Sequence, residues 1–205
     1  MSDFKANMKD LFKGAWTIPN LLSVIRILLI PVFAVLFLKD YVIAAVVVII
    51  IAELTDLIDG KIARKFNQVS ALGKLLDPIA DKLSQMSIVI VLIIKYWDNA
   101  IKYLFMFFII KELLMIIGGV VLLSKGLRPV AAEMWGKVAT TVFCIVMIFV
   151  LAFGKGGALC DVTGFTLPDT VTWILVSISA VCTLGSLLGY APGFVKQLKE
   201  KKENK

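Results

Sequence analysis

No histidine occurs among the 205 residues of this chain. Without imidazole, neither the commonest general base of neutral pH nor a His-ligated zinc site nor a Ser-His-Asp arrangement can be built. Three cysteines are present, Cys144, Cys160 and Cys182, too few and too far apart for a disulfide framework or a zinc site. Cys144 and Cys182 fall in apolar runs, where cysteine behaves as a small hydrophobe. Charge is scarce as well: Asp, Glu, Lys and Arg make up 18% of the chain against 60% hydrophobic residues, more apolar material than a soluble core of this size can hide. The little charge there is leans basic, with 22 Lys and Arg to 15 Asp and Glu. No aromatic-basic module accompanies that excess, which argues against nucleic acid as a partner.

Long apolar runs are abundant. Stretches near the roughly 20 residues a helix needs to cross a bilayer extend from Leu21 to Leu38, Tyr41 to Leu57, Leu75 to Tyr96, Ile101 to Leu123, Val138 to Phe153 and Val171 to Leu188. They predict an all-α integral membrane protein with six transmembrane helices in one domain, residues 18–190. Ahead of it, in residues 1–17, Phe4, Met8, Leu11 and Phe12 recur at helical spacing with Lys5, Lys9 and Lys13 between them. That is the pattern of a short amphipathic helix lying on an anionic lipid surface. A signal peptide would need a continuous apolar core and a small-residue cleavage site, which this stretch lacks. Residues 191–205 read as a basic tail.

Basic residues also orient the chain. Lys5, Lys9 and Lys13 precede the first run; Lys61, Arg64, Lys65 and Lys74 lie between the second and third; Lys125, Arg128 and Lys137 lie between the fourth and fifth. Five more lysines end the chain, whereas the alternate connections hold only Lys39, then Lys95 and Lys102, then Lys155. The positive-inside rule therefore predicts a multi-pass protein of the cell membrane with both termini on the cytoplasmic side.

Four carboxylates interrupt this apolar chain where the second and third runs meet. Asp56 and Asp59 are three residues apart, Asp77 and Asp81 four apart, so each pair shares one face of its helix. Acids at the edge of a bilayer are costly to keep and mark function by default. Four of them facing one pocket repel unless cations neutralise them. Hard carboxylate oxygens suit Mg²⁺ or Mn²⁺. Two such ions balance the charge, and a pair roughly 3.5–4 Å apart is the usual clamp for displacement at phosphorus. Gly60, Ala63 and Gly73 leave room for close approach of a backbone or phosphate, and Lys61 and Arg64 supply donors to phosphate oxygens.

These residues, Asp56-Leu-Ile-Asp59-Gly60-Lys-Ile-Ala63-Arg64 followed eight residues later by Gly73-Lys-Leu-Leu-Asp77-Pro-Ile-Ala-Asp81, resemble the signature of the CDP-alcohol phosphatidyltransferase family at every fixed position. The similarity extends to Pro19-Asn20-Leu-Leu-Ser23-Val-Ile-Arg26 and covers most of the chain up to about Thr141. The resemblance implies that Asp56, Asp59 and Asp77 coordinate one metal and that Asp77 and Asp81 hold the second. It makes Asp81 the general base for the acceptor hydroxyl. Gly60, Arg64, Ser70 and the Asn20–Ser23 segment would bind the cytidine diphosphate part of CDP-diacylglycerol. It also implies a homodimer and an active site at the cytoplasmic face.

The alcohol acceptor is carried by weaker signals. Lys65-Phe-Asn-Gln and Leu76-Asp77-Pro78-Ile-Ala80-Asp81-Lys82 look most like the branch using glycerol 3-phosphate, whose phosphate needs cations; Lys111 and Lys137 are the candidates. Lys137 equally suits a positive-inside anchor, and Lys111 a salt bridge with a neighbour. That branch usually carries a second Arg beyond its Arg-Glu pair, where this chain reads Lys111-Glu112-Leu-Leu-Met-Ile-Ile-Gly118-Gly119. The departure keeps a phosphatidylglycerol acceptor, as in cardiolipin synthesis, open. Glu53, an acid outside the motif, is expected to have a bonded partner such as Arg26. A divalent-cation channel or transporter is the competing class, but neither a second acidic cluster nor the repeated halves common in transporters are visible.

Overall fold

The computed structural model describes residues 17–65, 73–124 and 134–203. The elements are helical throughout the described residues: α1 (Ile18–Leu38), α2 (Val42–Lys65), α3 (Gly73–Lys95), α4 (Lys102–Ser124), α5 (Met134–Phe153), the four-residue α6 (Cys160–Thr163) and α7 (Asp169–Glu203). Four of them contain stretches long and apolar enough to cross a bilayer: Asn20–Leu38, Lys102–Val121, Trp135–Phe153 and Asp169–Gly189. The chain is therefore a multi-pass membrane protein by the length and composition of its helices. In α2 the apolar stretch is shorter, Val42–Thr55, because the acids and bases of its last turns follow at once. The third predicted span falls on α3, whose first turns carry Lys74, Asp77, Asp81 and Lys82, and α3 is not among those four helices, so the six predicted spans are met in part. The amphipathic helix predicted for residues 1–17 lies outside the described residues except for Thr17.

Contacts divide the chain into two compact units, Met1–Val91 and Leu92–Lys205. In the first, Thr17 caps α1 by accepting the backbone N–H of Asn20 at 3.4 Å, and a proline in the first turn needs no helical donor there. At the other end Asp40 adopts a left-handed φ of 62°, a conformation Asp tolerates better than most residues. The chain reverses within three residues, so α2 returns against α1. Asn20, Ser23, Arg26, Phe33 and Phe37 form the buried stripe of α1, and Ala45, Val46, Ile49 and Ala52 that of α2. The small residues on α2 allow close approach, the means by which helices associate where lipid offers no hydrophobic gain. Leu28, Val35, Ile43, Val47 and Ile51 are exposed, as lipid-facing positions should be.

In the second unit α7 packs against α4 and α5. The covered face of α4 runs through Phe105, Phe108 and Glu112, with buried Ile101 just ahead of it, and the Phe108 ring meets Phe143 of α5 at a centroid distance of 5.1 Å. Along α7 the buried positions Thr172, Val176, Ser179, Thr183 and Ser186 alternate by four and three residues, one continuous helical face. The predicted tail from residue 191 continues α7 through Pro192 to Glu203. All three cysteines are free thiols, as expected.

Candidate active site

The helix α2 carries Asp56, Asp59, Gly60, Ala63 and Arg64 on its final turns, so the first half of the motif is helical as its spacing predicts. The side chains of these residues lie outside what the structure describes, and Ser70 lies outside the described residues altogether. Gly73, the first residue of α3, is buried. One turn on come Asp77 and, four residues later, Asp81, with fully buried Ala80 beside them. Pro78, next to Asp77, has no N–H to return to the carbonyl four residues back.

Two side chains of α1 reach these acids. Ser23, with no exposed surface, donates its hydroxyl to Asp77 Oδ1 at 2.5 Å. Arg26, only 1% exposed, places Nη1 3.0 Å from Asp81 Oδ1. Residues three apart on α1 thus meet residues four apart on α3. Asn20 is buried one turn before Ser23, at 4% exposure. A third helix is tied in by Ser84, whose hydroxyl lies 2.9 Å from Glu53 Oε1 of α2 and 3.1 Å from the carbonyl of Asp81. Glu53 has a bonded partner as expected, the Ser84 hydroxyl, and Arg26 forms an ion pair with Asp81.

The two candidate acceptor ligands belong to the other unit. Lys111 is largely buried, and its Nζ lies 2.6 Å from Glu112 Oε1, the neighbour salt bridge that was the alternative for this residue. Lys137, in the first turns of α5, is exposed.

The donor set fits a hard divalent cation. Asp77 and Asp81 offer carboxylate oxygens four residues apart on one helix, and each has one oxygen held by a hydrogen-bond donor of α1, the kind of support a metal-binding carboxylate needs. Among the described residues no group of three or more His, Cys, Asp or Glu side chains gathers; the carboxylates that would complete such a group are those of Asp56 and Asp59. In the sequence Arg26 stands in the run from Pro19 and is a candidate partner of Glu53. Its contact with Asp81 depends on the rotation of α1 against α3, for which periodicity carries no signal.

The model of the CDP-alcohol phosphatidyltransferase family matches residues 16–185. The chain belongs to that family. It is similar to the CDP-diacylglycerol–glycerol-3-phosphate 3-phosphatidyltransferase of Bacillus subtilis (strain 168), 30% identical over 181 residues that cover 81% of this chain and 91% of the relative. The enzyme of the same name from Aquifex aeolicus (strain VF5) is 29% identical over 184 residues, 89% of this chain and 99% of the relative. A shorter and closer match, 50% identical over 80 residues, links it to the cardiolipin synthase (CMP-forming) of Rattus norvegicus, covering 38% of this chain but only 26% of that relative. Membership of the family agrees with the resemblance carried by the motif.

Proposed function

We propose that this chain transfers the phosphatidyl group of CDP-diacylglycerol to glycerol 3-phosphate, forming phosphatidylglycerol phosphate and releasing CMP. The observation that carries the reading is the pair Asp77 and Asp81, one turn apart on α3 and each held by a buried donor of α1, within a family match that spans residues 16–185. In the reaction the acceptor hydroxyl oxygen forms the new bond to the phosphorus that bears diacylglycerol. The bond from that phosphorus to the bridging oxygen of CMP breaks, and CMP leaves with its electron pair. Asp81 accepts the hydroxyl proton, a role a carboxylate can fill where histidine is absent. Asp56, Asp59, Asp77 and Asp81 are the residues that would hold two Mg²⁺ or Mn²⁺ ions, which when bound neutralise charge on the diphosphate. Arg64, with Gly60, Ala63, Ser70, Gly73 and Asn20, serves the nucleotide, and Lys111 and Lys137 are the candidate cations for the acceptor's phosphate.

The chain crosses the membrane six times in this reading, with both termini and the acidic cluster at the cytoplasmic face, and acts as a homodimer. The carboxylates then lie at the interface where a lipid-anchored nucleotide presents its diphosphate.

A second reading, transfer to phosphatidylglycerol with cardiolipin as product, is favoured by the 50% identical segment shared with the rat synthase and by the missing second arginine after Glu112. Purified protein incubated with labelled CDP-diacylglycerol, Mg²⁺ and each acceptor separately distinguishes the two. Product with glycerol 3-phosphate is expected; product with phosphatidylglycerol alone selects the second reading. Metal flux into liposomes with no CMP release would remove both.

A further inference from the structure

We propose that Ser23 and Arg26 are positioning residues of the transfer reaction, acting through Asp77 and Asp81 and not through contact with either substrate; for Ser23 this replaces the nucleotide contact that the family resemblance implies. The proposal rests on the reading of those two acids as reaction-site residues. Its structural basis is the pairing of two helix faces: Ser23 with Asp77, and Arg26 with Asp81.

Burial decides between holding a carboxylate and holding a lipid phosphate. An arginine that captures phosphate at a membrane surface keeps its guanidinium accessible, whereas Arg26 is 1% exposed and Ser23 is fully covered. A guanidinium in a membrane-spanning helix is costly to keep in lipid, so such a residue faces the protein interior and has a partner. Here the partner is Asp81, whose side chain remains 42% exposed. The acid is therefore anchored on one side and accessible on the other. Ser23 has a single O–H to donate, and it is directed at Asp77.

The other neighbour of α3 contributes to the same end. Ser84 links the backbone of Asp81 to Glu53 of α2, so the turn between the acids is fastened to α1 by side chains and to α2 through Ser84. Partners behind a ligating carboxylate fix its rotamer, and their removal typically lowers metal affinity or activity about 10–100-fold.

The test uses full-length protein in nanodiscs, with Mn²⁺ alone as the metal probe followed by electron paramagnetic resonance, and steady-state kinetics in parallel. Ser23→Ala should weaken Mn²⁺ binding about 10–100-fold. Arg26→Gln should lower kcat by a similar factor while KM for CDP-diacylglycerol stays within about threefold, and Arg26→Lys, which keeps the charge, should recover part of the loss. Because Arg26 acts through Asp81, Arg26→Gln should cost nothing further in an Asp81→Asn background, whereas independent effects add. Wild-type kcat and Mn²⁺ affinity in both Ser23→Ala and Arg26→Gln would overturn the proposal. So would a loss confined to KM for CDP-diacylglycerol, which would place Arg26 on the lipid. Failure of the proposed function appears differently, as a wild-type protein that transfers to neither acceptor, and leaves the Mn²⁺ measurements decisive.

Discussion

Ser84 and Glu53 join α3 to α2 through one hydrogen bond, the serine hydroxyl 2.9 Å from Glu53 Oε1. Ser84 is 1% exposed and lies one turn beyond Asp81, so the bond sits immediately behind the candidate general base. A hydrogen bond to a charged group contributes about 1.5–3 kcal/mol. Ser84→Ala should lower stability by about that amount, read as a reduced thermal midpoint in detergent. Glu53→Gln, which keeps an oxygen acceptor, should lose less than Glu53→Ala. Equal midpoints for wild type and Ser84→Ala would show that the bond does not hold the two helices.

Metal removal tests the carboxylate site without reference to turnover. A ligand present at about 100 times its Kd and bound only by the folded state adds about 2.7 kcal/mol of stability. Saturating Mg²⁺ should therefore raise the thermal midpoint of the wild type, and EDTA should abolish the rise. In Asp56→Asn and Asp77→Asn the midpoint should no longer respond to Mg²⁺. A full response in either variant would remove that residue from the ligand set.

How far the sequence carried this picture depends on the kind of information each feature needs. Helix positions were legible because apolar runs and charge punctuation are local: the run from Leu21 to Leu38 lies within α1, and the spacing of Asp56 and Asp59 placed them correctly on a helix. The family followed from fixed residues at fixed intervals. Arg26 was a different matter. Its pairing with Asp81 depends on the rotation of α1 and α3 about their axes, which a chain apolar on most faces does not encode in its periodicity. The helical end of α7 was missed for another reason. Beyond Pro192 the sequence turns to Lys, Gln and Glu, which are good helix formers, but their clustered charge equally suits a solvated tail, and composition alone does not decide between the two.

Asp81→Asn separates chemistry from binding. The amide cannot accept the acceptor's proton, so kcat should fall by at least about 100-fold, the usual scale for losing a general base, with CDP-diacylglycerol affinity largely kept. The substitution also removes one charged partner of the Arg26 guanidinium. Breaking a buried ion pair costs about 3–5 kcal/mol, an upper bound here because Asp81 is partly exposed and Arg26 has further interactions. Thermal midpoint and kcat must be measured on the same preparation: a loss of kcat in protein that remains folded assigns the defect to proton transfer, and retained turnover removes Asp81 from that role.

Two hydroxyls in the second unit make a prediction of opposite sign. Ser179 Oγ and Thr183 Oγ1 are buried on α7 with no hydrogen-bond partner among the described residues. Thr172, on the same helix face, instead donates to the Pro168 carbonyl at 3.3 Å, and Thr140 and Thr141 of α5 donate to carbonyls four residues back at 3.0 Å. An unsatisfied buried hydroxyl costs about 1–3 kcal/mol. Thr183→Val should therefore leave the thermal midpoint unchanged or raised, and Ser179→Ala should do the same, while Thr172→Val lowers it. A clear drop for Thr183→Val would reveal a partner for its hydroxyl, such as a bound water.

Lys111 can be assigned by asking which measurement its loss moves. Its Nζ is 2.6 Å from Glu112 Oε1, and both side chains are largely buried, so a purely structural pair predicts that Lys111→Met destabilises by breaking a buried ion pair. Acceptor recognition predicts something more selective. Charge-assisted hydrogen bonds from a lysine to a phosphate are about twice as strong as neutral ones, so KM for glycerol 3-phosphate should rise about tenfold or more while KM for CDP-diacylglycerol holds. The double variant Lys111→Met/Glu112→Leu separates the effects, because removing both charges relieves the buried imbalance and often restores stability. If stability returns and the KM for glycerol 3-phosphate stays high, Lys111 binds the acceptor. If both return together, the pair serves the packing of α4 and the acceptor's phosphate is held elsewhere.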